Sequence, residues 1–268
     1  MSRLHLPFAC GSCALAGTLD TAPGSAGLLI VTGGNELRSG AFSGQAELAA
    51  SIAKAGFPVF RYDRRGIGDS EGENRGFRKS SKDIAAALEA FRAMAPSLNR
   101  VIALGNCDAA SALMLAGGAG CDGLILSNPW TIEESDHGDA SGSSDGSNLS
   151  SGAIRSRYLE KLRNPSEIWR LLRGGVDLRK LAGGLAAGMR SDPSDNTLAR
   201  EIGAGIDGFT GPISILLASA DRTAQEFERH WDKKDPRIQR CEGASHAYVE
   251  PHAREWFKAE VLKALRAH

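Results

Sequence analysis

Short apolar, β-branched runs alternate along this chain with stretches of helical spacing, and that alternation leaves few folds open. The run Gly27–Gly33 ends in glycines and fits a buried strand entering a tight turn. An alanine-rich stretch from about Ser43 to Ala55, closed by Gly56, has helical character, and Phe57–Tyr62 is the next strand. From Ser81, placed as an N-cap, apolar residues recur at Ile84, Leu88, Phe91 and Ala95, and Pro96 limits the helix. Strand-like Arg100–Gly105 then leads into a small-residue helix over Ala109–Gly117. Asp122–Ser127 is a strand ending at Asn128-Pro129-Trp130, and Pro212–Ser219 is another. A helix over about Ala224–Lys233 and a short strand around Ile238 follow. A last helix opens at Pro251 and sets Phe257, Val261 and Leu265 on one face. Strands and helices of this size in alternation predict an α/β fold, a mostly parallel central sheet with helices on both faces.

Two stretches depart from the alternation. Near the start, Cys10-Gly11-Ser12-Cys13 brackets a two-residue turn between two short strands, which makes plain hairpin residues of both cysteines. Between Glu133 and Ala153 stand seven Ser, four Gly and five acidic residues, too little to bury, so a mobile loop is expected. From Ile154 to about Arg190, Tyr158, Leu162, Ile168, Trp169, Leu171 and Leu172 have helix-like spacing with no strand between. The expected organisation is therefore a core of residues 1–132 and 191–268, interrupted by a polar loop and helical cap insertion over 133–190. Such an insertion would lie over the carboxyl edge of the sheet, where open α/β sheets bind ligands.

Composition removes several function classes. With 32 basic and 32 acidic residues the formal net charge is zero, without the basic footprint of a nucleic-acid binder. No apolar run reaches the length of a membrane span, and the first residues lack a signal-peptide pattern, so a soluble, cytoplasmic protein is expected. Five cysteines are too few and too scattered for a secreted disulfide framework. A four-cysteine zinc site would want a second C-x-x-C pair, and neither metal nor cofactor is expected.

The most informative stretch is Gly105-Asn106-Cys107-Asp108-Ala109, at a strand-to-helix turn. Small residues two before and two after the cysteine allow a sharp turn that lifts its side chain above the sheet. This is the pattern of a nucleophile elbow, G-x-S-x-G, with Cys in place of Ser and Ala in place of the second Gly. Together with Tyr62–Gly72 and Ser127-Asn128-Pro129-Trp130, it makes the chain resemble the α/β-hydrolases over nearly its whole length. Within them it resembles the hydrolases associated with exosortase A. The resemblance implies the α/β-hydrolase fold and a setting in exopolysaccharide production.

A cysteine nucleophile needs a base, and the base an orienting acid, in the order nucleophile, acid, His. Asp221 follows the Pro212–Ser219 strand, and His246 lies in a loop before the last helix, so Cys107, Asp221 and His246 are the expected triad. His5 and His268 are terminal, His137 is in the polar loop, and His230 and His252 are on helices. Asp63 precedes the nucleophile and is expected to hold its own turn. The oxyanion donors expected are the Asp108 N–H and an N–H of Gly34 or Asn35, in the loop after the Gly27 strand. Arg38, Arg64 and Arg65 could meet an anionic substrate or be structural, and Trp130 is a weaker candidate for substrate contact.

The expected partner is a small acyl substrate, an ester, thioester or lactone. Transfer to a sugar or lipid acceptor and a non-catalytic binding role remain as alternatives.

Overall fold

The computed structural model describes residues 2–132 and 196–267. The polar loop and the helical cap expected over 133–190 lie outside these residues.

Eight strands form one sheet: β1 (Arg3–Cys10), β2 (Cys13–Asp20), β3 (Ala26–Val31), β4 (Val59–Tyr62), β5 (Arg100–Asn106), β6 (Gly123–Ser127), β7 (Ile213–Ala218) and β8 (Ile238–Cys241). Their spatial order is β1-β2-β4-β3-β5-β6-β7-β8. The β1–β2 hairpin is antiparallel and so is its junction with β4, while every pairing from β4 to β8 is parallel. The sheet expected from the alternation is thus present, with an antiparallel margin added by the hairpin. Cys10 and Cys13 face each other across its turn, where Gly11 takes φ +62°, and both thiols are free.

The described helices are α1 (Gly44–Lys54), α2 (Ser81–Met94), α3 (Asp108–Leu115), α4 (Thr197–Asp207), α5 (Arg222–His230) and α6 (Pro251–Arg266). They cover both faces, and the period of two along each strand decides which residue meets which helix. Leu28 and Ile30 of β3, with Ile102 and Leu104 of β5, pack with Ile52 of α1 and Val261 and Leu265 of α6. Leu29, Val31, Val101 and Ala103 point the other way, toward Phe91 of α2, Leu113 of α3, Ile202 of α4 and Phe227 of α5. Truncating one of the wholly buried residues, such as Ile52, would cost about 2–5 kcal/mol.

Three helix limits differ from the sequence pattern for identifiable reasons. α5 begins two residues earlier because the Asp221 carboxylate caps it, accepting from the Ala224 N–H at 3.2 Å. It ends at His230 because Trp231 turns extended (φ −126°, ψ 153°) and stacks on Phe227, 4.9 Å between ring centroids. α1 starts at Gly44 behind a 3-10 turn, with Ser43 in the left-handed region (φ +61°) and making no side-chain cap.

From β3 the chain passes to β4 on one side, then crosses back to β5 on the other. Ligands bind at such a switch point, outside the carboxyl ends of the strands. The loop Thr32–Asn35 and the elbow at Cys107 meet there.

Candidate active site

Cys107 occupies the one-residue joint between β5 and α3 with φ +61° and ψ −128°, a conformation L-residues rarely adopt. Such a backbone costs about 1–3 kcal/mol and persists only where its surroundings enforce it. The enforcement is visible. The Cys107 N–H donates to the Ser127 carbonyl at 3.0 Å, and its carbonyl accepts from the N–H groups of Ala110, Ser111 and Trp130. A Cβ at Gly105 would lie 2.6 Å from the Ala109 carbonyl carbon, so a side chain two residues before the cysteine is excluded. Ala109 itself is wholly buried.

The structure brings together Asp221, at the end of β7, and His246, beyond β8. His246 Nδ1 lies 2.8 Å from Asp221 Oδ2, and the same oxygen caps α5. Asp221 is nearly buried, and the two loops are tied by Ser219 and Ala220 N–H bonds to the carbonyls of Cys241 and Ala244. The His246 pKa is raised from its ordinary value to about 10. The hydrogen bond to Asp221 is the chief cause and that to Cys107 the second; burial acts in the opposite direction and is outweighed. The imidazole thus has a carboxylate on Nδ1, and Cys107 is among the groups that raise its pKa.

A second group of residues escaped the sequence reading. Asn106 Nδ2 lies 3.4 Å from both His246 Nε2 and the His246 carbonyl. Asn128, wholly buried with φ +43°, donates to the same carbonyl at 3.2 Å and to Asn106 Oδ1 at 3.1 Å. Its own oxygen accepts from the Ala218 N–H at 2.9 Å, so one amide joins the ends of β6 and β7 to the histidine loop. Tyr248 completes the group, accepting from Ser127 Oγ at 3.1 Å and donating to the Leu216 carbonyl at 3.3 Å. Burial pushes its phenol up. The available signal was an amide before Pro129 at a strand end and a tyrosine two residues beyond the base.

The oxyanion loop has an unexpected occupant. The Gly34 N–H donates to Asp108 Oδ1 at 2.7 Å, and the Arg64 guanidinium donates to the Gly34 carbonyl while lying 3.5 Å from Asp108 Oδ2. Asn35 is exposed and accepts from Asn74 Nδ2 at 3.1 Å.

Other candidates take structural places. Arg38 gives its guanidinium to Asp63 and Asp69 and its Nε to Thr18 Oγ1, a structural tie, which is one of the two roles expected of it. Asp63 is wholly buried and also accepts the N–H groups of Arg38 and Asp69, holding its turn as expected. Arg65 pairs with Asp83 at 2.8 Å and reaches Cys10 Sγ at 2.9 Å. Trp130 packs partly buried against the core. His5 meets Thr18, His230 meets Glu226, and His252 meets the Glu242 carbonyl. His137 and His268 lie outside the described residues. Cys121 and Cys241 are buried, and burial pushes the Cys121 thiol up to about 12. Among the described residues no three His, Cys, Asp or Glu side chains are grouped to hold a metal. No helix among them is long and apolar enough to cross a membrane.

Comparison with known proteins agrees with this architecture. A family model described as serine aminopeptidase, S33, matches residues 25–157. No curated protein matches the sequence. Among solved structures, the esterase Pf2001 of Pyrococcus furiosus is similar at 15% identity and a TM-score of 0.58, over 99% of this chain and 90% of that one. The α/β hydrolase GrgF from Penicillium sp. sh18 is similar at 15% identity and a TM-score of 0.62, over 99% and 98%. Est1E from Butyrivibrio proteoclasticus, determined with ferulic acid bound, is similar at 14% identity and 0.61, over 98% and 100%. The chain has the α/β-hydrolase fold. Where the family description names a serine enzyme, the residue at this elbow is Cys107.

Proposed function

We propose that the protein is a hydrolase that cleaves a carboxylic ester, thioester or lactone through an acyl group carried on Cys107. The observation that carries this reading is the strained elbow at Cys107 beside a histidine whose Nδ1 is held by Asp221. A binding module has no use for a nucleophile, base and acid in that order.

In the proposed reaction His246 already holds its proton, in keeping with its raised pKa, and the Cys107 sulfur attacks the acyl carbon as the thiolate. The carbonyl π electrons move to oxygen, and the Asp108 N–H donates to that oxyanion. Collapse breaks the bond to the leaving alcohol or thiol, which takes the proton from His246. Water then attacks the thioester, giving its proton to His246. The second collapse releases the carboxylic acid and frees the Cys107 sulfur, while His246 keeps the proton taken from water. The Gly34 N–H joins Asp108 as a second donor only when the Asp108 carboxylate releases it. The resemblance to exosortase-associated hydrolases would set this chemistry beside exopolysaccharide production.

The test is intact-protein mass after brief exposure to p-nitrophenyl acetate, in wild type and Cys107→Ala. One acetyl adduct on wild type and none on the variant is expected. An adduct that survives the substitution, or no adduct and no p-nitrophenol, would overturn the reading. A thioester is also open to alcohols and amines, so product formed on an added sugar faster than free acid would turn the assignment to acyl transfer.

A further inference from the structure

A cavity of about 390 Å³ has Arg64 in its wall. Its walls are the turn after β4, the loop Glu73–Gly76, a 3-10 turn (Phe77–Lys79) and the first turn of α2. Six cationic side chains line it: Arg64, Arg65, Arg75, Arg78, Lys79 and Lys82. Two carboxylates accompany them, and both are spoken for. Asp83 pairs with Arg65, and Glu73 lies 3.9 Å from Arg75. Arg78 is paired with Glu201. In a chain of zero net charge this is a marked local excess of positive charge. Lys79 and Lys82 form no salt bridge among the described residues.

Arg64 is the informative member. Its side chain is only 3% exposed, and one terminal nitrogen is engaged at the Gly34 carbonyl. The Nε and the other terminal nitrogen are buried without an acceptor. Leaving charged donors buried and unmet is costly, so they call for an anion. The first residues of α2, Ser81 to Asp83, line the same cavity, so the start of a fourteen-residue helix, where negative charge is favoured, borders it.

We infer that this cavity binds a phosphate or pyrophosphate group, held by Arg64, Lys79, Lys82 and the start of α2. The site stands apart from the acyl-transfer reading. It adjoins that chemistry through two links: Arg64 reaches the Gly34 carbonyl and Asp108, and Asn74 of the cavity wall holds Asn35. A phosphorylated substrate would thus be gripped beside the oxyanion loop.

The experiment is calorimetric titration of the full chain with inorganic pyrophosphate, coenzyme A and pantetheine. It needs no turnover, so failure of Cys107 to acylate leaves it informative. Saturable one-to-one binding of pyrophosphate is expected, weakened about tenfold in Lys79→Ala/Lys82→Ala and weakened by added salt. The same loss is expected in Arg64→Gln; should that variant fail to fold, the exposed lysine pair still decides. Hydrolysis of p-nitrophenyl acetate by the lysine variant should equal wild type. Coenzyme A binding above pyrophosphate, with pantetheine silent, would identify a nucleotide-borne phosphate. Pyrophosphate binding at least as tightly would identify a free phosphate or small phosphate ester. No saturable binding of either anion to wild type, or equal binding by the lysine variant, would overturn the site.

Discussion

The carboxylate of Asp108 and the backbone N–H of Gly34, 74 residues apart in sequence, are joined by a 2.7 Å hydrogen bond. One of the two expected oxyanion donors is therefore satisfied by the side chain of the other. A carboxylate placed there is a negative charge at the edge of the region where an acyl oxygen would develop its own. The clasp is reinforced by Arg64, which binds the Gly34 carbonyl and lies beside the same carboxylate.

Asp108→Ala is expected to speed acylation by about tenfold, a fraction of what one oxyanion donor is worth. The substitution frees the Gly34 N–H and removes the opposing charge. Burst amplitudes and rates with p-nitrophenyl acetate would measure it. A slower burst would mean that Asp108 is needed to hold the Gly34 loop in place.

Cys107 couples stability and activity in opposite senses. Cys107→Ala should abolish turnover and leave the melting temperature near that of wild type. Cys107→Gly should also abolish turnover but stabilise the fold by about 1 kcal/mol, because glycine accepts φ +61° without strain. Cys107→Ser should retain weak activity, since a hydroxyl is the poorer nucleophile. Turnover by the alanine variant at the wild-type rate would remove the central assignment.

The histidine titration supplies a pH prediction. With a folded pKa raised to about 10, His246 keeps its proton through neutrality and loses it near pH 10. Its proton-linked stability is fully present below the unfolded value of about 6.5 and is lost as pH rises through about 10. The Asp221 hydrogen bond is the chief cause, so Asp221→Ala should move the titration down toward 6.5. Imidazole NMR shifts would follow both proteins. A wild-type midpoint near 6.5 would contradict the assignment.

Asn128→Ala should leave the buried Ala218 N–H without a partner and the His246 carbonyl with only its Asn106 bond, costing about 1–3 kcal/mol. Loss of kcat should exceed any change in KM, because the amide touches the loop that carries the base. Chemical denaturation paired with steady-state kinetics would separate the two effects. Unchanged kcat would reduce Asn128 to a structural bridge between β6 and β7.

The parts of the site legible in the sequence are those fixed by local geometry. An elbow needs small neighbours, and Gly105 and Ala109 declare it; an acid and a base at successive strand ends declare themselves by order. Asp221 was visible as an acid but not as the cap that starts α5 two residues early, because both roles fall on one carboxylate. What stayed hidden is what depends on contact between distant segments. Nothing local to Arg38 says that Asp63, 25 residues on, will absorb its charge, and nothing near Asp108 announces Gly34. Asn128 stands in the sequence only as the end of a strand before proline, and its grip on the histidine loop requires the parallel alignment of β6 with β7.

The acid and the base leave the sheet from its last two strands, and β8 is a four-residue strand with a neighbour on one side only. The margin of a sheet is the part that opens first in thermal fluctuations. Cys107, on β5 in the interior, would keep its posture while the imidazole beyond β8 drifted away. Warming should therefore extinguish turnover before it melts the core, and a clamp across that border would raise the temperature of inactivation more than that of unfolding.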